Sequence, residues 1–287
     1  MKKLLLLSAL LIFACCSDDS SNDDTTINCY GYLLEDYSDS ILPSTITIVD
    51  AASDNITSVI NYSYNGNKIV SSLQTISMNG SSNEEIERFY TYSENRVSSL
   101  DVYENGEFNE FSSFSGQMEY NSQGMLSTVQ NDGENWLEYT YQTDCSILLG
   151  FNIESDNEYY TYYVEVDNNG NLSYVNSNNN EDGCLIYWTA EYDNYNNPFK
   201  NVTGHSNLGD LIPHSNAIRD MSQVHIFGAI GLNNNPISIN SSRTQCDNPT
   251  NQVTTYSYDY NDAGYPVNVI ISVDGAVYET VTIEYNE

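Results

Sequence analysis

Three histidines, His205, His214 and His225, fall in one stretch of chain and together would suit a metal site or a proton relay. Their spacings of 9 and 11 residues do not match a helical ligand pair such as His-Glu-x-x-His. They therefore read as separate loop or helix residues. The neighbouring TGHSNLGD lacks the Gly-x-Ser-x-Gly turn that presents a nucleophilic serine. Asn178, Asn180 and Asp182 alternate ahead of Gly183, loosely as in a calcium loop. Its twelfth position would be Thr189, where a bidentate Glu is required, so the segment reads as a polar hairpin loop. No cofactor is expected, and Ca2+ stays a minor candidate. Trp136 and Trp188, with Tyr160 and Tyr162 of NEYYTYYVEV, are the residues able to form an aromatic platform for a ligand such as a glycan. The same residues also suit cross-strand aromatic pairing, worth ~0.2–1 kcal/mol per pair.

Charge narrows the partners. Eight Lys and Arg stand against forty Asp and Glu, a formal charge of −32. Such a surface argues against nucleic acid, whose binding needs cations to neutralise phosphates. It favours solubility and attracts cations. With so many carboxylates, any two-Asp constellation arises by chance, and no acid–base pair is nominated.

The first residues set an address. MKKLLLLSALLIFACCSDDS opens with Lys2 and Lys3, followed by an apolar run from Leu4 to Phe13. That run is too short for a transmembrane helix and has the form of a secretory signal. Its end, Ile12-Phe13-Ala14-Cys15, resembles a bacterial lipobox. The resemblance implies lipidation of Cys15, with Cys16 as the alternative, and cleavage after residue 14. Ala14 supplies the small residue at the cleavage point. Acyl chains bind a bilayer at ~0.8 kcal/mol per buried CH2, a lasting anchor when several are present. The acidic, low-complexity SDDSSNDDTT cannot bury a core, so residues 15–28 form a tether. An acidic tract just behind a lipidated Cys is similar to the surface-export signal of Bacteroidota lipoproteins. It implies an outer-membrane protein displayed at the surface, with a periplasmic face as the alternative. In an oxidising compartment Cys29, Cys145, Cys184 and Cys246 are disulfide candidates, with three pairings open.

The elements that would position any site follow from a recurring phrase. Tyr120 is followed by Asn121, Gly124, Leu126 and Val129, and Val166 by Asp167, Gly170, Leu172 and Val175. Tyr192 is followed by Asp193, Asn196, Pro198 and Asn201, with Val202 just beyond; Tyr260 by Asn261, Gly264, Pro266 and Val269. Shorter copies start at Tyr64 and Tyr92, and the steps from Tyr64 to Tyr92 to Tyr120 are 28 residues each. Alternate Tyr lines one face of a strand. Asx starts the turn, Gly accepts positive φ, and Leu or Val resumes the apolar face. Further Asx-Gly pairs at 65–66, 79–80, 105–106, 132–133, 182–183 and 274–275 mark hairpins. The expected fold is all-β, an antiparallel meander of hairpin repeats forming a broad curved sheet or open barrel. The frame resembles the YD-type repeats of the RHS family and of uncharacterised Bacteroidota lipoproteins, over roughly residues 58–287. That resemblance implies a scaffold and is silent on activity.

Residues 29–287 thus read as one β-repeat domain. Residues 203–250 lack the frame and form an irregular insertion, with a short helix expected over Ala217–Phe227. The functional reading is a cell-envelope lipoprotein whose scaffold binds a glycan, a peptide or an envelope partner. A purely structural or adhesive protein comes second, and a hydrolase with an unrecognised site third.

Overall fold

The computed structural model describes residues 41–51, 56–108, 118–131, 134–153, 158–177, 185–203, 233–244 and 249–286. These form seventeen strands: β1 (Pro43–Asp50), β2 (Ile56–Asn65), β3 (Lys68–Met78), β4 (Ser81–Ser93), β5 (Arg96–Glu104), β6 (Glu107–Phe108), β7 (Met118–Tyr120), β8 (Leu126–Asn131), β9 (Glu134–Tyr141), β10 (Ser146–Ile153), β11 (Glu158–Val166), β12 (Leu172–Ser177), β13 (Leu185–Tyr192), β14 (Pro236–Thr244), β15 (Thr250–Tyr260), β16 (Pro266–Val273) and β17 (Ala276–Tyr285). The fold is all-β, one antiparallel meander, as the turn signals predict. β1 lies between β2 and β17, so the first and last strands are neighbours. Among the described residues β6 pairs only with β5, and β7 only with β8, so the sheet is not closed into a barrel. No helix there is long and apolar enough to cross a membrane.

Period-two patterning divides the sheet into two faces. On β17, Val281 and Ile283 are buried while Thr280, Thr282 and Glu284 are exposed. On β15, Thr254 and Tyr256 are buried while Thr255, Ser257 and Asp259 are exposed. The buried face makes one core shared across the sheet, with Ile46, Ile69, Leu149, Val175, Trp188, Ile239, Ile271 and Val281 among its members. A membrane-spanning barrel alternates the other way, apolar outward and polar inward. These strands carry hydroxyls, amides and carboxylates outward, which suits water on that face.

The recurring phrase builds one kind of turn. Asn121, Asp167 and Asn261 each accept two backbone N–H bonds on Oδ1, from the residues two and four positions on, at 2.8–3.1 Å. The glycines of these turns have φ of 88°, 87° and 78°, a region that costs a side chain dearly and glycine little. At the Asx-Gly hairpins, Asn79, Asn105 and Asp274 adopt positive φ with the glycine that follows, as tight hairpins require. The residue pairs 132–133 and 182–183 lie outside the described residues.

The tyrosines do more than fill the core. Tyr141 donates its phenol to the carbonyl of Leu126 at 2.8 Å, Tyr192 to that of Leu172 at 2.5 Å, and Tyr285 to that of Pro266 at 2.7 Å. Each acceptor is the Leu or Pro of an earlier frame, so a strand's last Tyr stitches a preceding turn. Burial pushes the phenols of Tyr64, Tyr192, Tyr258 and Tyr285 up, with neighbouring tyrosines or Asp167 adding to it, and keeps them as donors.

One frame departs from expectation. Tyr192 pairs with Pro236, not with a residue near Pro198. Asp193 Oδ1 accepts the N–H of Tyr195 at 2.9 Å, then that of Asn235 at 3.1 Å. Tyr258 donates to the carbonyl of Pro236 at 2.7 Å. Pro236 therefore occupies the frame position assigned above to Pro198. The chain leaves the turn after Asn196 and returns at Asn233 to Asn235. Strand β14 and the first residue of β15 lie inside the segment 203–250 expected to be irregular. Pro198 misled because a Pro at nearly the right distance satisfies the same pattern. The expected helix, residues 217–227, lies outside the described residues.

Candidate functional site

The outer face is mixed: Ile237, Val253, Ile270 and Val277 are exposed singly, Tyr163 and Tyr174 meet edge to face on β11 and β12, and on β4, β5 and β6 two exposed phenylalanines join Tyr103 in a row. Phe89 and Phe108 are 44% and 51% exposed. Phe89 and Tyr103 meet edge to face with ring centroids 5.8 Å apart and planes at 84°. Tyr103 and Phe108 repeat the arrangement at 5.5 Å and 68°. Register explains the row. Phe89 pairs with Asp101, Glu87 with Tyr103, and Tyr103 with Phe108. Leu73 of β3, exposed and paired with Glu87, extends the apolar surface on the far side. Directly paired residues share a face with Cβ atoms ~4.5–5.5 Å apart, and diagonal neighbours ~7–8 Å apart. Phe89, Asp101, Tyr103 and Glu87 thus occupy the corners of a square, with rings on one diagonal and carboxylates on the other. The nearby cations are directed elsewhere. Arg88 donates to Gln74 Oε1 at 3.1 Å. Lys68 and Arg96 lie over the rings of Tyr92 and Tyr120, each 5.3 Å from the centroid.

A second polar concentration sits where the chain leaves the Tyr192 frame. Asp193 Oδ2 accepts from Asn235 Nδ2 at 3.1 Å and from the Tyr260 phenol. Asn201 Nδ2 donates to the carbonyl of Ile41 at 3.1 Å and to the Tyr265 oxygen at 2.7 Å. Asn67 Nδ2 donates to the carbonyl of Asn201 at 3.0 Å, and Tyr92 to that of Thr203 at 3.0 Å. Phe199 packs edge-on against Tyr62 at 5.5 Å. Residues 197–203 therefore link the turns of β2–β3 and β15–β16 with the start of β1. The Asp193 carboxylate is taken up by its own turn, so this region is a latch rather than a reactive cluster. Tyr195, half exposed, stacks on Tyr260 at 4.1 Å.

The residues singled out in the sequence are distributed differently. Trp188 and Tyr162 are buried at 2% and 4% exposure, so neither offers a face to a ligand: both point into the shared core. Trp136 lies on β9 and Tyr160 on β11, and their side chains fall outside the described part. Cys15, Cys16, Cys29, Cys184, Cys246, the three histidines, and Asn178, Asn180, Asp182 and Gly183 also lie outside the described residues. Thr189 is exposed on β13. Cys145, in the turn before β10, has φ of 71° and is not free. Among the described residues no three His, Cys, Asp or Glu side chains group closely enough to hold a metal. The Phe89–Tyr103–Phe108 strip escaped the sequence reading. Its signal was present as Phe at outward positions of RFYTYS and GEF, hidden because Tyr and Trp drew attention instead.

The fold and strip together define a class: an antiparallel β scaffold with a water-facing outer surface and a local aromatic platform. No family model matches the chain, and no curated protein matches it. Among solved structures, it is similar to a porin-like protein from Bacteroides uniformis ATCC 8492 at 14% identity, over 85% of this chain and 96% of that one, with a TM-score of 0.44. It is also similar to a porin-like protein from Bacteroides vulgatus ATCC 8482 at 13% identity, over 86% and 99%, with a TM-score of 0.43.

Proposed function

We propose that this chain is a lipid-anchored protein of the cell envelope that holds an extracellular ligand on the outer face of β4–β6. The observation that carries the binding role is the row of Phe89, Tyr103 and Phe108 in mutual contact, whose two phenylalanines are exposed with no polar group to place in water. Solvent-exposed rings in mutual contact form the kind of apolar patch that marks interaction surfaces. The anchor rests on the signal-like start and Cys15, with the acidic tether setting the sheet away from the bilayer. Cys145, a half-cystine, supports an oxidising compartment and a disulfide framework with Cys29, Cys184 and Cys246.

The test is binding by the purified protein to glycan and peptide arrays, beside the Phe89→Ser/Phe108→Ser double variant. The expected result is retention of a ligand class by the parent and at least a tenfold loss in the variant. Equal behaviour of the two chains on every ligand would overturn the binding role and favour a purely structural protein. For the anchor, labelling with a clickable fatty acid should be abolished by Cys15→Ala and kept in Cys16→Ala.

A further inference from the structure

We infer that the occupant of the strip is a polypeptide of another protein that presents an arginine side chain. This rests on the binding role just proposed and specifies its partner. The square of Phe89, Asp101, Tyr103 and Glu87 carries the inference. A sugar stacks the C–H face of its chair on an open, extended aromatic face, whereas Phe89 and Tyr103 stand at 84° with one ring's edge against the other. Two rings at right angles, with a carboxylate at each remaining corner, enclose a place for one cation. A guanidinium there stacks on an open ring face as a cation–π partner and reaches either carboxylate as a hydrogen-bond donor. Arginine fits better than lysine because its plane stacks on aromatic faces and its fork matches a carboxylate. Among the described residues the cations near the square are directed elsewhere, Arg88 to Gln74, Lys68 to Tyr92 and Arg96 to Tyr120.

Charge and shape favour a polypeptide over a small amine. A formal charge of −32 steers cationic partners towards the molecule at long range. Phe108 on one side and Leu73 on the other continue the apolar surface beyond the square. The residues flanking an arginine in a polypeptide can cover those two side chains, which a free amine leaves in water.

The experiment uses the full chain in detergent and an acetylated, amidated pentapeptide with leucines around one central residue. That residue is arginine, lysine, citrulline or glutamate, and binding is read by calorimetry at two salt concentrations. The arginine probe is expected to bind at least tenfold more tightly than the citrulline probe, which keeps the shape and removes the charge. Glu87→Gln/Asp101→Asn should erase that difference without shifting the melting temperature by more than a few degrees. Phe89→Ser should weaken both probes, the arginine probe more than the citrulline probe. If citrulline or neutral oligosaccharides bind the parent as tightly as arginine does, and Phe89→Ser still weakens them, the cation is overturned while the platform stands. If Phe89→Ser changes nothing for any probe, the platform falls and this inference falls with it.

Discussion

The outer faces of β4–β6 and of β15–β17 rest on the same backbone and cover the same core, yet they are dressed differently. On β15–β17 the outward positions include Thr255, Ser257, Asp259, Thr280, Thr282 and Glu284, with Val253, Ile270 and Val277 as apolar residues and no exposed aromatic ring among them. On β4–β6 the outward positions include three aromatic rings in contact and a leucine beside them. Stability does not require the rings, because β15–β17 pair as regularly without them. On β4–β6 two exposed phenylalanines stand where the scaffold could have carried threonine. Stability therefore rests on the buried face, and the rings of β4–β6 are free for the binding role proposed above.

The largest test of that assignment lies within β16, where Ile270 faces out and Ile271 is fully buried. Ile271→Ala should cost about 2–5 kcal/mol, since it removes buried methyls and leaves a cavity. Ile270→Ala should stay within ~0.5 kcal/mol. Urea titration measures both, and equal losses would dissolve the two-face distinction.

A further test probes the seam where the first and last strands join. Glu279 is 7% exposed and pairs across the seam with Asp50. Burial first, and then the Asp50 charge, push its carboxyl up to about 7 from 4.5. Ile271 pairs with it from β16, and its charge also acts on the Tyr256 phenol of β15. Because the folded state holds this proton more tightly, raising the pH ionises the unfolded chain first. Stability therefore falls between about pH 4.5 and 7 and is level above that range. One pKa unit is ~1.4 kcal/mol, so with some screening the loss amounts to roughly 2–3 kcal/mol. The difference in unfolding free energy between the parent and Glu279→Gln, measured from pH 4 to 8, should show that slope. A flat difference would refute the buried, proton-holding state.

The tyrosine stitches come next in size. Tyr258→Phe removes the bond to the Pro236 carbonyl and keeps the ring, so a loss of about 1–2 kcal/mol is expected. Tyr103→Phe, on the outer face, should change the unfolding free energy by less than ~0.5 kcal/mol. A loss as large at Tyr103 as at Tyr258 would place the strip among the structural tyrosines.

Much of this architecture was legible in the chain because it is built from local rules. Alternating Tyr and Val or Ile fixed the two faces, and Asx with Gly fixed the turns at Asn121, Asp167 and Asn261. What stayed hidden was non-local. Nothing near Tyr192 announces that its partner is Pro236, because the intervening residues carry no frame and Pro198 imitates the missing position. Likewise, Trp188 and Tyr162 have the composition of a platform, but strand parity turns them inward. Phe89, Tyr103 and Phe108 belong together only through register across three strands, which no single stretch of sequence contains. Pairing of Phe89 with Asp101, and of Tyr103 with Glu87 and Phe108, is what assembles the strip.

The smallest expected effect bears hardest on the comparison. Phe89→Thr/Phe108→Thr places on β4–β6 the kind of residue that β15–β17 carry at outward positions. Threonine keeps the β preference, so the change removes little beyond the ring contacts. Edge-to-face aromatic pairs contribute about 0.5–1.5 kcal/mol each, less at half-exposed positions such as these. The double variant should therefore lose no more than ~1.5 kcal/mol in urea titration and keep the parent's β-sheet circular dichroism. With stability so nearly preserved, a tenfold loss of ligand would belong to the rings themselves. A loss above ~3 kcal/mol would mean that the rings hold β4, β5 and β6 together. In that case the outer face of β4–β6 would be a structural variation on β15–β17, and its exposure would need no ligand to account for it.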